Sequence, residues 1–198
     1  NNAAQRQKTV SMGVKYDKGP IYLSLSHEIH YDYFGGTSNI PTALRNSTTT
    51  TDSNDYATQF SAEYRINKQH KLGFDAIRKS YNETGNVTGR FDTYQNMAYQ
   101  LAFENRWTDK IRTAGGIVRS NAGTCTLKGG VACSTTGLEG TKYTLGIGYD
   151  LDKDTRLFAA ASLLKQGDSA SYGVREFSNR PNVGENIRHM AVGMAYSF

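Results

Sequence analysis

The sequence predicts an all-β fold, a transmembrane antiparallel up-and-down β-barrel of which nine strands are present, with residues 1–198 forming part of a single barrel domain. Two patterns predict it. Apolar and polar side chains alternate in nine separate segments, and the links between those segments are short and long in strict alternation. Composition agrees: no apolar run approaches the ~18 residues of a spanning helix, mean hydropathy is −0.59, and yet the chain holds 13 Tyr, 8 Phe and 20 Gly. A barrel wall escapes a hydropathy scan because only alternate residues meet lipid.

The segments follow in chain order. Residues 6–17 set Val10, Met12, Val14 and Tyr16 against Thr9, Ser11, Gly13, Lys15 and Asp17. Residues 20–33 set Ile21, Leu23, Leu25, Ile29, Tyr31 and Tyr33 against Tyr22, Ser24, Ser26, Glu28, His30 and Asp32. In 55–67, Thr58, Phe60, Ala62, Tyr64 and Ile66 oppose Gln59, Ser61, Glu63 and Arg65. Residues 71–81 are weaker, and 93–107 are the clearest, with Met97, Tyr99, Leu101, Phe103 and Trp107 on one face. Residues 110–120, 141–151, 154–166 and 187–198 complete the set, the Ala-rich centre of 154–166 leaving its facing open.

Tight turns join alternate pairs at Asp17-Lys-Gly-Pro20, Asn67-Lys-Gln-His70, Thr108-Asp-Lys110 and Asp152-Lys-Asp154. Between them lie the long polar stretches 34–54, 82–92, 121–140 and 167–186. Sorting short turns to one end and long loops to the other is what a barrel in an outer membrane does, with the turns periplasmic.

The last nine residues, Met190-Ala-Val-Gly-Met-Ala-Tyr-Ser-Phe198, put Met190, Val192, Met194, Tyr196 and Phe198 on one face and end on an aromatic. This resembles the terminal strand of bacterial outer-membrane barrels. With Val14-Lys-Tyr-Asp-Lys-Gly-Pro-Ile-Tyr22, Tyr31-Asp-Tyr-Phe-Gly-Gly36 and Gly146-Ile-Gly-Tyr-Asp-Leu-Asp-Lys-Asp-Thr-Arg-Leu157, the chain resembles the C-terminal part of a Gram-negative general porin of the β-proteobacterial type. The resemblance implies sixteen strands, a homotrimer and an infolded constriction loop. It also implies a water-filled channel for ions and small hydrophilic solutes, in the bacterial outer membrane.

Direction then matters. A terminal strand that ends at the periplasm makes the first of nine run downward from an external start, whereas a complete bacterial barrel has an even strand number and both termini inside. The expectation is therefore strands eight to sixteen of a porin, with the N-terminal remainder of the barrel absent from this chain. The polar start Asn1-Asn-Ala-Ala-Gln-Arg-Gln, which has no apolar leader core, reads as a mature or internal beginning.

Inward parity selects Lys15, Arg65, Lys71, Lys79, Arg106, Arg112, Lys142 and Arg156 with the acids Asp17, Glu28, Asp32, Glu63, Asp75, Glu104 and Asp150. Close neighbours of opposite sign, Glu63 with Arg65 and Glu104 with Arg106, read as an ion-pair ladder near the periplasmic rim. The net charge of +5 leans weakly towards anion preference. Outward parity places Arg6, Lys8, Arg78, Arg119, Lys165 and Arg188 just beyond the apolar band at its external end. Arg78, Arg119, Lys165 and Arg188 are the best-placed candidates to contact lipopolysaccharide phosphates, with simple snorkelling as the plainer alternative.

No catalytic constellation emerges. His27-Glu28-Ile29-His30 points its two histidines to opposite faces of a strand, and no Walker loop or paired CxxC is present. No enzyme activity, metal, cofactor or nucleic-acid partner is expected; a structural or adhesive barrel that presents loops is the alternative function, and a barrel enzyme a weaker one. Cys125 and Cys133 flank seven residues of the third long loop and, in an exported protein, are expected to form a disulfide. Tyr196 and Phe198 are expected at the periplasmic interface, where aromatic rings are favoured. Deleting Phe198 lowers the yield of folded, heat-modifiable barrel recovered from the outer membrane; an unchanged yield contradicts the family resemblance.

Overall fold

The computed structural model describes residues 8–31, 53–83, 87–131, 133–172 and 182–197. They form one sheet of ten antiparallel strands. These are β1 (Lys8–Lys18), β2 (Ile21–Tyr31), β3 (Asn54–Arg65), β4 (His70–Asn82), β5 (Phe91–Arg106), β6 (Ile111–Ser120), β7 (Thr124–Leu127), β8 (Gly140–Asp150), β9 (Thr155–Gln166) and β10 (Ile187–Tyr196). The order is β1-β2-β3-β4-β5-β6-β8-β9-β10, each strand beside its predecessor, and β7 pairs with β5 outside this path. No helix among the described residues is long and apolar enough to cross a membrane.

The nine expected segments are all strands, and the tenth is a correction. Residues 121–140 read as an irregular polar loop, but Thr124–Leu127 adds to the upper end of β5, opposite Gln95, Tyr94, Thr93 and Phe91. The reason is β5 itself. At sixteen residues it outruns β6, whose pairing stops at Ala98↔Ser120, and β7 satisfies the backbone groups left over.

Cross-strand partners share a face, so the registers fix the two surfaces. One row runs Tyr16, Leu23, Ala62, Phe74, Leu101, Ile117, Tyr143, Leu163, Arg188 across all nine path strands. The adjacent row on the other face runs Asp17, Tyr22, Glu63, Gly73, Ala102, Gly116, Thr144, Ser162, His189. The first is apolar up to its end and the second polar or small. The open question in 154–166 is thereby resolved: Leu157, Ala159, Ala161 and Leu163 lie on the apolar face, and Arg156, Phe158, Ala160 and Ser162 on the polar one.

Neither face is buried against another layer. Met190 is 88% exposed, Val192 83% and Leu145 60%, which in water would be an aggregation surface and in hydrocarbon is a solvated one. The buried hydrophobic cluster among the described residues is small and lies beyond the membrane band: Phe91, Tyr94 and Leu138, flanked by Tyr81, Ala122 and Cys125. The sheet does not close among these residues, since β1 pairs only with β2 and β10 only with β9.

Three of the four short turns use one device. Asn67 Oδ1 accepts the N–H groups of Gln69 and His70 at 2.8 and 2.9 Å. Thr108 Oγ1 accepts those of Lys110 and Ile111 at 3.2 and 3.0 Å, and Asp152 Oδ1 those of Asp154 and Thr155 at 2.8 Å each. The fourth turn, Gly19-Pro20, is a two-residue loop between paired Lys18 and Ile21, with Gly19 at the positive φ of 61° that its first position requires.

These N–H donors hold the Asp152 carboxyl below its ordinary range, and the nearby Lys110 charge adds to the effect. A carboxyl lowered on folding stabilises the turn above the unfolded value of about 3.9, and that contribution disappears as the pH falls through the lower folded value. Amide exchange at Asp154 and Thr155 therefore accelerates below pH ~3.9 in the native protein. In Asp152→Asn, which keeps the acceptor, that acid-dependent acceleration is absent.

Candidate functional site

The ten candidate residues Lys15, Glu28, Glu63, Arg65, Asp75, Glu104, Arg106, Arg112, Lys142 and Arg156 all fall on the polar face by register. Asp17, Glu28, Asp55, Glu63, Asp75, Glu104 and Asp150, the acidic residues within the paired registers of the path strands, share that face. Asp32 of the sequence reading, with Arg6 and Phe198, falls outside the described residues.

At the short-turn end the charges condense into three ion-pair groups. Arg65 bonds both Asp17 of β1, at 2.8 Å, and Glu63 of its own strand, at 2.7 Å. Asp150 takes Arg112 from β6 at 3.0 Å and Arg156 from β9 at 2.5 Å. Between these groups Lys71 meets Glu104 at 3.9 Å across β4 and β5. The ladder that sequence spacing drew through Glu104 and Arg106 forms differently. The register sets Lys71 directly opposite Glu104, whereas Arg106 sits opposite Arg112. Strand pairing, not sequence proximity, chose the partner.

Further up the same face the acids are also occupied. Glu28 accepts from Ser11 at 2.6 Å and bonds His30 at 2.6 Å, and Gln59 donates to Asp75 at 3.5 Å. Asp55, which the sequence reading passed over, is buried and held by Ser53 and the backbone of Asn82. The cations are not matched in the same way. Lys15, Lys79, Arg106 and Lys142 form no ion pair among the described residues. Lys79 lies in register with Ala57 and Asn96, and Lys142 with Val118 and Leu164, so both have neutral cross-strand neighbours.

A concave surface of about 480 Å³ opens on this face among Lys71, Gly73, Gln100, Glu104, Gly116 and Lys142. Its floor is made of small residues, which leave the space clear for the long charged side chains. Among the described residues no group of His, Cys, Asp or Glu could hold a metal ion. His27 and His30 take opposite faces: His27 Nδ1 bonds Thr58 Oγ1 at 2.8 Å on the apolar side, while His30 bonds Glu28 on the polar side.

On the apolar face, Arg119 and Lys165 share one row through Thr141, and Arg188 lies one step below opposite Leu163. Arg78 stands apart on β4 and donates to Gln95 at 2.9 Å. The four therefore occupy neighbouring rows, not a single one.

Above the long-loop end, two loops lock together. Gly167 and Ser169 donate backbone N–H groups to Glu139 and Gly137, and Gly184 donates to Ala170. Gln166 binds Glu185, Asn186 and Tyr172, whose hydroxyl in turn reaches the Leu138 carbonyl at 2.9 Å. Cys125, opposite Tyr94 in the ladder, is joined to Cys133 with the Cα atoms 5.6 Å apart. Lys128 pairs with Asp92 at 2.5 Å on the same extension. Tyr94 at the head of the clearest segment, with Phe91 at the end of the polar stretch before it, was the available sequence signal for this module; Gln166 carried none.

No protein-family model matches the sequence, and no curated protein matches it in a sequence search. Solved structures match in shape. The anion-selective porin from Comamonas acidovorans superposes with a TM-score of 0.72 at 16% identity, covering 96% of this chain and 49% of that one. The outer-membrane expressed OmpT of Vibrio cholerae gives 0.64 at 14% identity, with 97% and 56% covered. The Pseudomonas putida toluene transporter TodX gives 0.54 at 11%, with 96% and 60% covered. At such identities the likeness establishes the fold, which is that of bacterial outer-membrane β-barrels. The chain spans about half the length of these structures, 49% to 60%.

Closing the loop between Cys125 and Cys133 removes chain entropy worth about 2–3 kcal/mol from the unfolded loop. Thiol reagents should leave both cysteines of the non-reduced protein unmodified. Replacing both by Ser should speed amide exchange in 121–139 while leaving β2 to β4 protected as before.

Proposed function

We propose that this chain forms part of the wall of a bacterial outer-membrane channel, through which ions and small hydrophilic solutes diffuse passively. The observation that carries this reading is the separation of the two faces. Ionised groups line one side of the sheet from end to end, and a predominantly apolar surface covers the other. Charges at that density need water beside them, so the polar face lines an aqueous lumen. Lys15, Glu28, Glu63, Arg65, Asp75, Glu104, Arg106, Arg112, Lys142 and Arg156 are then pore-lining.

The unmatched cations supply a direction. The acids of this face are held by Arg, Lys, His or hydrogen-bond donors, while Lys79 and Lys142 form no ion pairs among the described residues, so the local field favours anions. The likeness to a structure titled an anion-selective porin supports the same preference. Permeation needs no bond chemistry, and no enzymatic role enters this reading.

The open edges of β1 and β10 imply further strands, because unpaired backbone groups in hydrocarbon cost several kcal/mol each. We assign them to the N-terminal remainder of the barrel, with a homotrimer as the assembly. The interlocked loops 137–139 and 166–172 favour a second reading, a barrel whose principal work is to present a rigid external surface.

Planar-bilayer recording of the barrel as isolated from its membrane separates the two. A channel conducts ohmically and its reversal potential in a salt gradient lies on the anion side; absence of conductance leaves the loop-presenting reading. Lys79→Glu combined with Lys142→Glu should abolish the anion preference or turn it towards cations while conductance persists.

A further inference from the structure

Phe158 is out of character with the polar face. Register places it on the side that carries the ionised groups, and yet it is 41% exposed there. Its partner on β10, Gly193, makes room for the ring: a Cβ at that position would stand 2.5 Å from it. Beside Phe158 opens a hollow of about 270 Å³, bounded by Phe158 on the β9 side and Glu104 on the β5 side, with Arg112 and Arg156 in its lining. Ala114, Gly146 and Ala160 share one row and form its floor. The volume lies just below the range of drug-sized ligand sites, so the hollow takes one small solute.

The two guanidiniums are fixed but not used up. Arg112 donates to Asp150 Oδ2 through Nη2 at 3.0 Å, and Arg156 donates to Oδ1 through Nε at 2.5 Å. The Asp150 side chain is only 16% exposed, which holds both cations in place. Two guanidiniums present about ten N–H donors to the roughly four lone-pair sites of one carboxylate, so donors are left over. One is explicit: Arg112 Nε is buried with no acceptor among the described residues. Arg106 lies directly opposite Arg112 and forms no ion pair among the described residues. Like charges so placed repel one another, and an anion between them relieves the repulsion.

We infer that this hollow binds a small aromatic monocarboxylate at the short-turn mouth of the channel. The carboxylate meets the spare donors of Arg112 and Arg156, whose planar groups suit it, and the ring packs offset against Phe158 over the small-residue floor. Chloride is drawn by the same cations but has no ring to place. A phosphate dianion brings a second negative charge towards Glu104, and acetate leaves Phe158 in water.

The inference rests on the channel reading and names a solute class for it. Its test is the chloride current of the whole barrel, as isolated from its membrane, in planar bilayers titrated with benzoate, acetate or inorganic phosphate. Benzoate should reduce the current saturably, and at lower concentration than either of the others. Phe158→Leu should weaken the benzoate block about two- to tenfold, the worth of an aromatic pair, and bring it towards that of acetate. Arg112→Gln/Arg156→Gln should weaken it at least about tenfold. Arg112→Lys/Arg156→Lys, which leaves Asp150 with cationic partners and so guards against loss of the fold, should block less than wild type and more than the Gln pair. Equal block by benzoate and acetate, or by benzoate and phosphate, overturns the site, as does wild-type block in Phe158→Leu or in the Gln pair. A conducting channel that benzoate never blocks defeats this inference alone, whereas absence of conductance defeats the channel reading beneath it.

Discussion

Backbone hydrogen bonding in a medium without water is the constraint on which the rest of this sheet depends. Each N–H and C=O within the membrane band must find its partner on a neighbouring strand, because hydrocarbon supplies none. From β1 to β10 the path is consequently a continuous antiparallel ladder with long, unbroken registers. Once the chain is extended, side chains must alternate between two environments, and lipid and water demand opposite chemistry. The low mean hydropathy of −0.59 is thus compatible with membrane insertion, since half of each strand faces water.

The ladder also explains how the charges are organised. At the short-turn end, neighbouring strands are held closely in register by two- to four-residue connections, and side chains from different hairpins meet at fixed places. Asp17, Arg65 and Glu63 meet there, as do Arg112, Asp150 and Arg156. These groups are partly exposed and solvent-screened, so their contribution is to the local field more than to stability. Turn chemistry maintains the geometry: Asn67, Thr108 and Asp152 are different residues that present the same side-chain acceptor to the two N–H groups a tight turn leaves free.

The long-loop end obeys a different rule. Outside the hydrocarbon, loops can pack as soluble protein does, and Phe91, Tyr94 and Leu138 form a small core where the wall has none. The extra strand β7, the Cys125–Cys133 link and the Gln166 hydrogen bonds extend that order upward from the sheet. The wall therefore carries a structured rim at one end and simple turns at the other. The difference follows from how many residues each connection has with which to bury apolar surface.

Much of this was legible in the sequence because the side-chain period of a strand is two and a membrane makes that period visible. The nine long strands, the sorting of turns from loops and the two faces follow from Met97, Tyr99, Leu101 and Phe103 alternating with Ala98, Gln100 and Ala102, and from similar runs elsewhere. The facing of 154–166 was not legible, because alanine suits lipid and lumen alike; pairing with Ile147 and Leu145 decided it. Nor could spacing along the chain select Lys71 as the partner of Glu104, or bring Arg119, Lys165 and Arg188 into adjacent rows of the sheet. Alternation is a local property that each strand carries alone. Register is a relation between strands, set by turn lengths and by the whole ladder, and only the folded sheet contains it.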